Sequence, residues 1–139
     1  GGCDSAGSAG IKICLSIYIW KRIFLSVAPE SLFQALSDAT RLRILALLAS
    51  EDELCVCDLT HVLKLSQPMV SRHLAQLRAA HTVSDRREGV WIHYRLYPNL
   101  PSWARKVIEE TLAGLARQEP YCSDRKMLRA AGRRRVRCV

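Results

Sequence analysis

The spacing of apolar residues changes abruptly near residue 81 of this chain. Over residues 66–80 apolar side chains recur every three or four positions, which predicts a helix with one buried stripe. Over residues 83–96 they alternate with polar side chains on both sides of Glu88-Gly89, which predicts two strands joined by a tight turn. The apolar positions are Val70, Leu74 and Leu77 in the helix and Val90, Ile92, Tyr94 and Leu96 in the second strand. The chain therefore combines helices with one small hairpin.

Other helices are marked by their starting residues. Pro29 fits a first helical turn, Asp38 fits an N-cap, and Ser66 fits an N-cap that is followed by Pro68. We predict helices over residues 29–36, 38–49, 56–64, 66–80 and 101–118, and hairpin strands over residues 83–87 and 90–96. The predicted fold class is mainly α with a small β-hairpin. Two helices joined by a short turn and followed by a hairpin are typical of a winged helix-turn-helix.

The chain of 139 residues has the size of one domain with terminal extensions. We assign residues 28–120 to a winged helix-turn-helix domain for DNA binding and dimerisation, residues 1–27 to an N-terminal arm, and residues 121–139 to a basic C-terminal tail. The arm alternates like a strand over residues 11–19, so it is either an added strand or a loosely docked segment. Its apolar run is too short to span a membrane, and no membrane partner is expected.

The net charge of +8 is unevenly distributed. The arm carries +2 and the tail +6, so the domain between them sums to zero. Within that domain, residues 28–58 have two cations against six acidic residues, whereas residues 64–97 have six cations against two acidic residues. The predicted reading helix and hairpin therefore carry a net charge of +4, which favours an anionic partner such as DNA.

The basic half also has the side chains that read DNA. Gln pairs with adenine and Arg with guanine in the major groove, while hairpin arginines contact phosphate. The alternatives are a solvated helix face for the cations and a packing position for His73. The candidate DNA-binding residues are Ser66, Gln67, Pro68, Ser71, Arg72, His73, Arg86 and Arg87. Because one winged helix reads only a few bases, the expected partner is a palindromic double-stranded operator bound by a homodimer.

Cys55 and Cys57 lie at the predicted start of the third helix. Thiolates select soft, thiophilic ions, and a helix N-terminus is expected to lower the pKa of a thiol. Positions i and i+2 do not face each other on a helix, so one ion can bind both sulfurs only if the first turn unwinds. Two small buried side chains are the structural alternative. The chain has enough core to fold without disulfides, so reduced thiols in the cytoplasm are expected.

Five blocks of the sequence resemble the arsenical-resistance repressor (ArsR) family of winged-helix metalloregulators, in that family's order. They are LSDATRLRIL, ELCVCDL, SQPMVSRHLAQLR, DRREGVWIHYRL and PSWARKVIEE. The resemblance implies an arsenic sensor in which Cys55 and Cys57 bind As(III) or Sb(III) as the inducer, which releases the repressor from its operator. It also implies dimerisation through the first and last helices. The alternative is that the apolar faces of these helices only close the core of a single copy. The candidate dimerisation residues are Leu32, Trp103, Val107, Ile108, Leu112 and Leu115.

The sequence departs from the family pattern in three places. Thr60 stands where arsenic-sensing relatives often have a third cysteine, so the third donor is a water or hydroxide, or else a thiol from Cys14, Cys3, Cys122 or Cys138. The cysteines of the arm keep cadmium or lead sensing open as an alternative. The last predicted helix has no His or Asp, so the zinc site of another branch is absent. His81 replaces a glycine that suits a left-handed helix end, at a cost of about 1 kcal/mol.

No sequence motif indicates catalysis. The chain has no phosphate-binding loop, no Ser/His/Asp motif and no acid pair in an apolar setting. We therefore expect a cytoplasmic repressor and neither an enzyme nor a catalytic cofactor. The alternative from a different class is a thiol protein that sequesters soft metal.

Overall fold

The computed structural model describes residues 27–132. Within them the chain forms six helices and three strands. The helices are α1 (Pro29–Leu36), α2 (Ala39–Ser50), α3 (Val56–Leu63), α4 (Gln67–Ala79), α5 (Ser102–Leu115) and α6 (Tyr121–Gly132). The strands are β1 (Leu54–Cys55), β2 (Val83–Glu88) and β3 (Trp91–Leu96). The predicted class of a mainly helical winged helix-turn-helix is confirmed.

The predicted helix starts are present. Asp38 caps α2 by accepting a hydrogen bond from the backbone N–H of Arg41 at 3.0 Å. Ser66 caps α4 by accepting one from the N–H of Met69 at 3.4 Å. Each side chain satisfies a donor that the helix itself leaves without a partner.

The three strands form one antiparallel sheet in the order β1-β3-β2. The turn of the hairpin lies one residue later than predicted, at Gly89 and Val90, because Glu88 still pairs with Trp91. Gly89 has a φ of 61°, which glycine adopts without steric cost. Val90 is 87% exposed at the tip, so its assignment to the apolar face of the second strand is wrong.

The third strand was not predicted. β1 has only two residues, Leu54 and Cys55, which pair with Tyr94 and His93 of β3. A two-residue strand has no detectable alternation, and its pairing depends on residues almost forty positions away. The cysteine segment is therefore part of the same sheet as the wing hairpin (β2 and β3).

Two apolar clusters form the core. The larger cluster joins α2, α3 and α4 to the sheet and contains Leu45, Leu59, Val70, Leu74, Leu77 and Tyr94 among others. The smaller cluster lies between α1 and α5 and contains Val27, Leu32, Leu100, Ala104 and Ile108. The stripe that the sequence predicted on α4 is thus fully buried against the larger cluster.

The assignment of the whole C-terminal segment to a basic tail is wrong for residues 121–132. These residues form α6, which packs against α2 and α3. Leu128 is buried in the larger apolar cluster, and the carboxylate of Asp124 accepts two hydrogen bonds from Arg43, at 2.6 and 2.7 Å. The domain therefore extends to at least residue 132, and the rest of the predicted tail, like the predicted arm over residues 1–26, lies outside the described residues.

His81 has a φ of 54°, which confirms the left-handed position inferred from the missing glycine. Its N–H donates to the carbonyl of Arg78 at 3.0 Å, just beyond the end of α4. The imidazole ring lies edge-on to Tyr97, with ring centroids 6.2 Å apart. This aromatic contact offsets part of the cost of the left-handed conformation.

Candidate DNA-binding surface and cysteine pair

The outward face of α4 carries four of the eight predicted DNA-binding residues. Gln67, Pro68 and Arg72 are exposed, Ser71 is half-buried, and Ser66 is engaged as the N-cap. The opposite face is anchored in the core, which fixes the helix against the body of the domain. This arrangement presents Gln and Arg side chains in the first two turns, where a recognition helix contacts base edges.

His73 does not belong to that outward face. Its Nδ1 atom is buried, lies 3.9 Å from Oδ1 of Asp38 and has no hydrogen-bond partner among the described residues. The side chain is only 18% exposed and faces the start of α2. The packing alternative for His73 fits this position, and its assignment to DNA binding stays a prediction.

Arg41 is a structural residue that the sequence did not single out. Its guanidinium donates to the carbonyls of Ala35 and Gln34 at the end of α1, at 2.8 and 2.9 Å, and to Oε1 of Gln76 on α4 at 2.6 Å. One side chain thus connects α1 with the recognition helix. No local pattern reveals this role, because its partners come from two separate helices.

The two arginines of the hairpin differ in their surroundings. Arg86 lies three residues before the turn and donates to both carboxylate oxygens of Glu53, at 2.7 and 3.0 Å, and to Glu88 at 3.1 Å. These hydrogen bonds lower the pKa of Glu53 and raise that of Arg86. Arg87 is exposed beside the turn. Arg86 is therefore already paired with two carboxylates, and the phosphate contact expected of both hairpin arginines stays a prediction.

Cys55 is the N-cap of α3 and is half-buried. Its backbone N–H donates to Oδ2 of Asp58 at 3.1 Å, and its sulfur faces the N–H of the same residue in a capping box. Burial raises the pKa of the Cys55 thiol, and the neighbouring Asp58 carboxylate adds to that rise. The expected lowering of the pKa at a helix N-terminus is therefore wrong for Cys55, because desolvation outweighs the backbone amides.

Cys57 lies in the first turn of α3 and is exposed. Its carbonyl accepts a hydrogen bond from the Thr60 hydroxyl at 2.9 Å, so the residue in place of a third cysteine closes the first turn.

The described part of the chain holds no preformed cluster of three ligands. Across residues 27–132, no group of three or more His, Cys, Asp or Glu side chains is arranged to hold a metal ion. Cys122 lies at the start of α6 and is half-buried. Cys3, Cys14 and Cys138 lie outside the described residues.

The predicted dimerisation residues divide into two groups. Leu32 and Ile108 are at most 2% exposed inside the cluster between α1 and α5, so they close the core of a single copy, as the alternative expects, and their part in dimerisation stays a prediction. Trp103, Val107, Leu112 and Leu115 are half-buried along α5. Phe33, which the sequence did not single out, is 56% exposed on α1. Exposed charged residues lie beside them on α5, namely Arg105, Lys106, Glu109 and Glu110, so the outward part of these helices is mixed in character.

In the part of the chain that the structure describes, no helix has both the length and the apolar character needed to cross a membrane.

The chain matches the family model described as bacterial regulatory protein, arsR family, over residues 38–84. It is 46% identical over 108 residues to the arsenic resistance transcriptional regulator ArsR1 of Pseudomonas putida, covering 78% of this chain and 83% of that one. It is 54% identical over 82 residues to the arsenical resistance operon repressor of Escherichia coli, covering 59% and 70% of the two chains.

The fold is similar to the crystal structure of the AntR antimony-specific transcriptional repressor. The TM-score is 0.52 at 32% identity, and the match covers 63% of this chain and 77% of that one. The ELCVCDL and SQPMVSRHLAQLR blocks lie within residues 38–84, which the family model matches. The chain belongs to the arsR family of bacterial regulatory proteins, which are DNA-binding transcriptional regulators.

Proposed function

We propose that this protein is a cytoplasmic repressor that binds a palindromic operator as a homodimer and leaves it when As(III) or Sb(III) binds Cys55 and Cys57. The observation that carries the proposal is the position of the two cysteines. They occupy the N-cap and the first turn of α3, the helix that precedes and packs against the recognition helix α4. The names of the relatives from P. putida and E. coli support arsenic as the effector.

The donor chemistry fits a thiophilic ion. Two sulfurs two residues apart are soft ligands, whereas Ca²⁺ and Mg²⁺ prefer oxygen. The remaining donor comes from solvent or from a cysteine outside the described residues. The half-buried Cys55 thiol is held mostly protonated at neutral pH, so its proton leaves when the ion binds.

The backbone at the cysteines must change for both sulfurs to reach one ion. Cys55 is the cap and Cys57 is in the first turn, and residues two positions apart diverge on a regular helix. Bringing their sulfurs together opens the first turn and breaks the hydrogen bond between Cys55 and Asp58. Because Leu59 and Val62 of α3 share a core with Val70 and Leu74 of α4, that change shifts the recognition helix.

A homodimer contains two copies of the recognition helix α4. A two-fold axis places two recognition helices one turn of DNA apart, about 34–36 Å, so both can enter the major groove on one side of a palindrome. We assign the contact to the outward apolar residues of α1 and α5. They are Phe33, Trp103, Val107, Leu112 and Leu115.

The test is operator binding by the reduced protein, measured by fluorescence anisotropy on a palindromic promoter fragment. Arsenite, antimonite, cadmium, lead and zinc are compared under anaerobic conditions. We expect arsenite or antimonite to weaken binding at least tenfold. The variants Cys55→Ser and Cys57→Ser should bind the operator without responding, and Cys122→Ser, the matched control, should respond like the wild type.

Other outcomes would contradict the proposal. Release by cadmium or lead but not by arsenite and antimonite would favour a cadmium or lead sensor. Absence of any specific operator binding would favour a thiol protein that sequesters soft metal. Hydrogen exchange that stays unchanged in α3 when arsenite is added would contradict the opening of its first turn.

A further inference from the structure

The ion pair between Glu53 and Arg86 spans the whole sheet. Glu53 directly precedes β1, Arg86 lies on β2, and β3 separates the two strands. The two residues are 33 positions apart in sequence and are joined by two hydrogen bonds, at 2.7 and 3.0 Å. The ion pair therefore links the two edges of the sheet.

The cysteine segment and this bridge lie on the same face of the sheet. Cys55 pairs with His93, and His93 pairs with Arg86, so the three residues form one row across the strands. Residues directly opposite each other in an antiparallel sheet have side chains on the same face. The neighbouring row, formed by Leu54, Tyr94 and Asp85, has its first two members buried in the core. The Cys55 row therefore lies on the outer face.

The backbone pairing of β1 with β3 is short. Only two residue pairs join these strands, and an isolated pairing of that length is marginally stable. Two hydrogen bonds that Glu53 accepts from Arg86 add to it, just before the chain enters the cysteine segment. Movement of Cys55 therefore acts on the wing hairpin through both the strand pairing and this ion pair.

We propose that Glu53 and Arg86 are positioning residues that hold the wing hairpin in its DNA-binding orientation and transmit the state of the Cys55 segment to it. This inference rests on the proposed function for its link to the inducer. In the metal-free protein the ion pair is closed and the hairpin is fixed. When the first turn of α3 opens, β1 shifts, Glu53 leaves Arg86, and the hairpin loses its support.

A competing role for Arg86 gives effects of opposite sign. If Arg86 binds DNA phosphate directly, Glu53 competes with the phosphate, and Glu53→Gln should raise operator affinity while Arg86→Gln lowers it. If the pair positions the hairpin, both substitutions should lower the affinity. The double variant should then be no weaker than the single variants, because either change breaks the same link.

The matched control is Glu88→Gln. Glu88 also accepts a hydrogen bond from Arg86, at 3.1 Å, but both residues belong to β2. This substitution removes one carboxylate from Arg86, and from the neighbourhood of His93 at 3.6 Å, while both hydrogen bonds between Arg86 and Glu53 are kept. It should leave both the hydrogen exchange of β3 and the response to arsenite as in the wild type.

Two measurements on the reduced full-length protein test the inference. The first is hydrogen exchange of β2 and β3 amides without metalloid, where Glu53→Gln and Arg86→Gln should each raise exchange about two- to fivefold, as expected for a solvent-accessible ion pair. The second is the ratio of operator dissociation constants with and without arsenite. That ratio should fall about two- to fivefold in both variants.

The outcomes separate this inference from the proposed function. Unchanged exchange in both variants, or tighter operator binding by Glu53→Gln, would overturn the positioning role. If arsenite and antimonite fail to release the wild-type protein, the proposed inducer is wrong, while the exchange measurement still decides whether the pair supports the hairpin.

Discussion

Cys55 lies directly opposite His93 where β1 pairs with β3, so the residue that begins α3 is also a residue of the wing sheet. The same residue caps a helix on one side and pairs with a strand on the other. A change at its sulfur therefore acts on two elements. One is α3, which packs against α4, and the other is the wing hairpin. In the proposed mechanism, this double connection lets an ion bound at Cys55 and Cys57 act on both α4 and the wing hairpin.

The Cys55 thiol should react slowly at neutral pH. Burial raises its pKa above the ordinary value of 9.0, and the thiolate is the reactive form. The rate of alkylation by iodoacetamide should thus be lower in the native protein than in the urea-unfolded chain at pH 7. It should keep rising as the pH passes 9.0. Peptide mass spectrometry of time points measures this, and faster native alkylation at pH 7 would contradict the burial argument.

Arg72 should be the arginine of α4 that reads sequence. It is exposed on the outward face, whereas Arg78 is paired with Asp85 at 3.4 Å. Arg72→Ala should weaken operator binding by about 1–3 kcal/mol and relax base preference at one position of each half-site. Arg78→Ala is the matched control and should cost less, with preference unchanged. Equal losses on specific and random DNA for Arg72→Ala would mean that it contacts phosphate only.

Asp124→Asn should destabilise the domain by about 1–3 kcal/mol. The substitution removes the carboxylate that accepts two hydrogen bonds from Arg43, whose pKa is raised by the same contact. Urea unfolding followed by circular dichroism gives the free energy of unfolding. Lys126→Gln, an exposed change on the same helix, serves as the control and should have no effect. Unaltered stability of Asp124→Asn would show that the docking of α6 does not depend on this pair.

Two substitutions at His81 should separate backbone strain from the aromatic contact. His81→Ala loses the contact with Tyr97 and keeps the φ of 54°, so it should lower the free energy of unfolding. His81→Gly loses the same contact but relieves the strain, so it should be more stable than the alanine variant by about 1 kcal/mol. Thermal or urea unfolding of the two proteins gives the difference. Equal stabilities would indicate that the left-handed conformation costs nothing here.

Deletion of residues 133–139 should affect DNA binding without affecting stability. This segment contains four arginines and lies beyond α6. Each phosphate contact that it makes contributes about 0.9 to the slope of log affinity against log salt concentration. The truncated protein should therefore bind random DNA more weakly and with a shallower salt dependence, while its preference for the operator is retained. Loss of that preference would mean that the reading surface lies outside α4.

The sequence by itself determined the elements whose causes are local. The apolar stripe of α4, the caps at Asp38 and Ser66, and the left-handed position of His81 depend on residues within a few positions of one another. The spacing of apolar residues, the side chains that cap helices, and the replacement of a glycine by His81 indicate such features directly. They were enough to predict the winged helix-turn-helix and the outward face that carries Arg72.

Only the tertiary structure decided which distant side chains meet. Arg86 finds Glu53 across 33 positions and Arg43 finds Asp124 across 81, so a hairpin arginine became internally paired and a supposed tail became a docked helix. The same assembly buried Cys55 and reversed the expected direction of its pKa. Burial and ion pairing depend on which surfaces come together, and that information is spread over the whole chain.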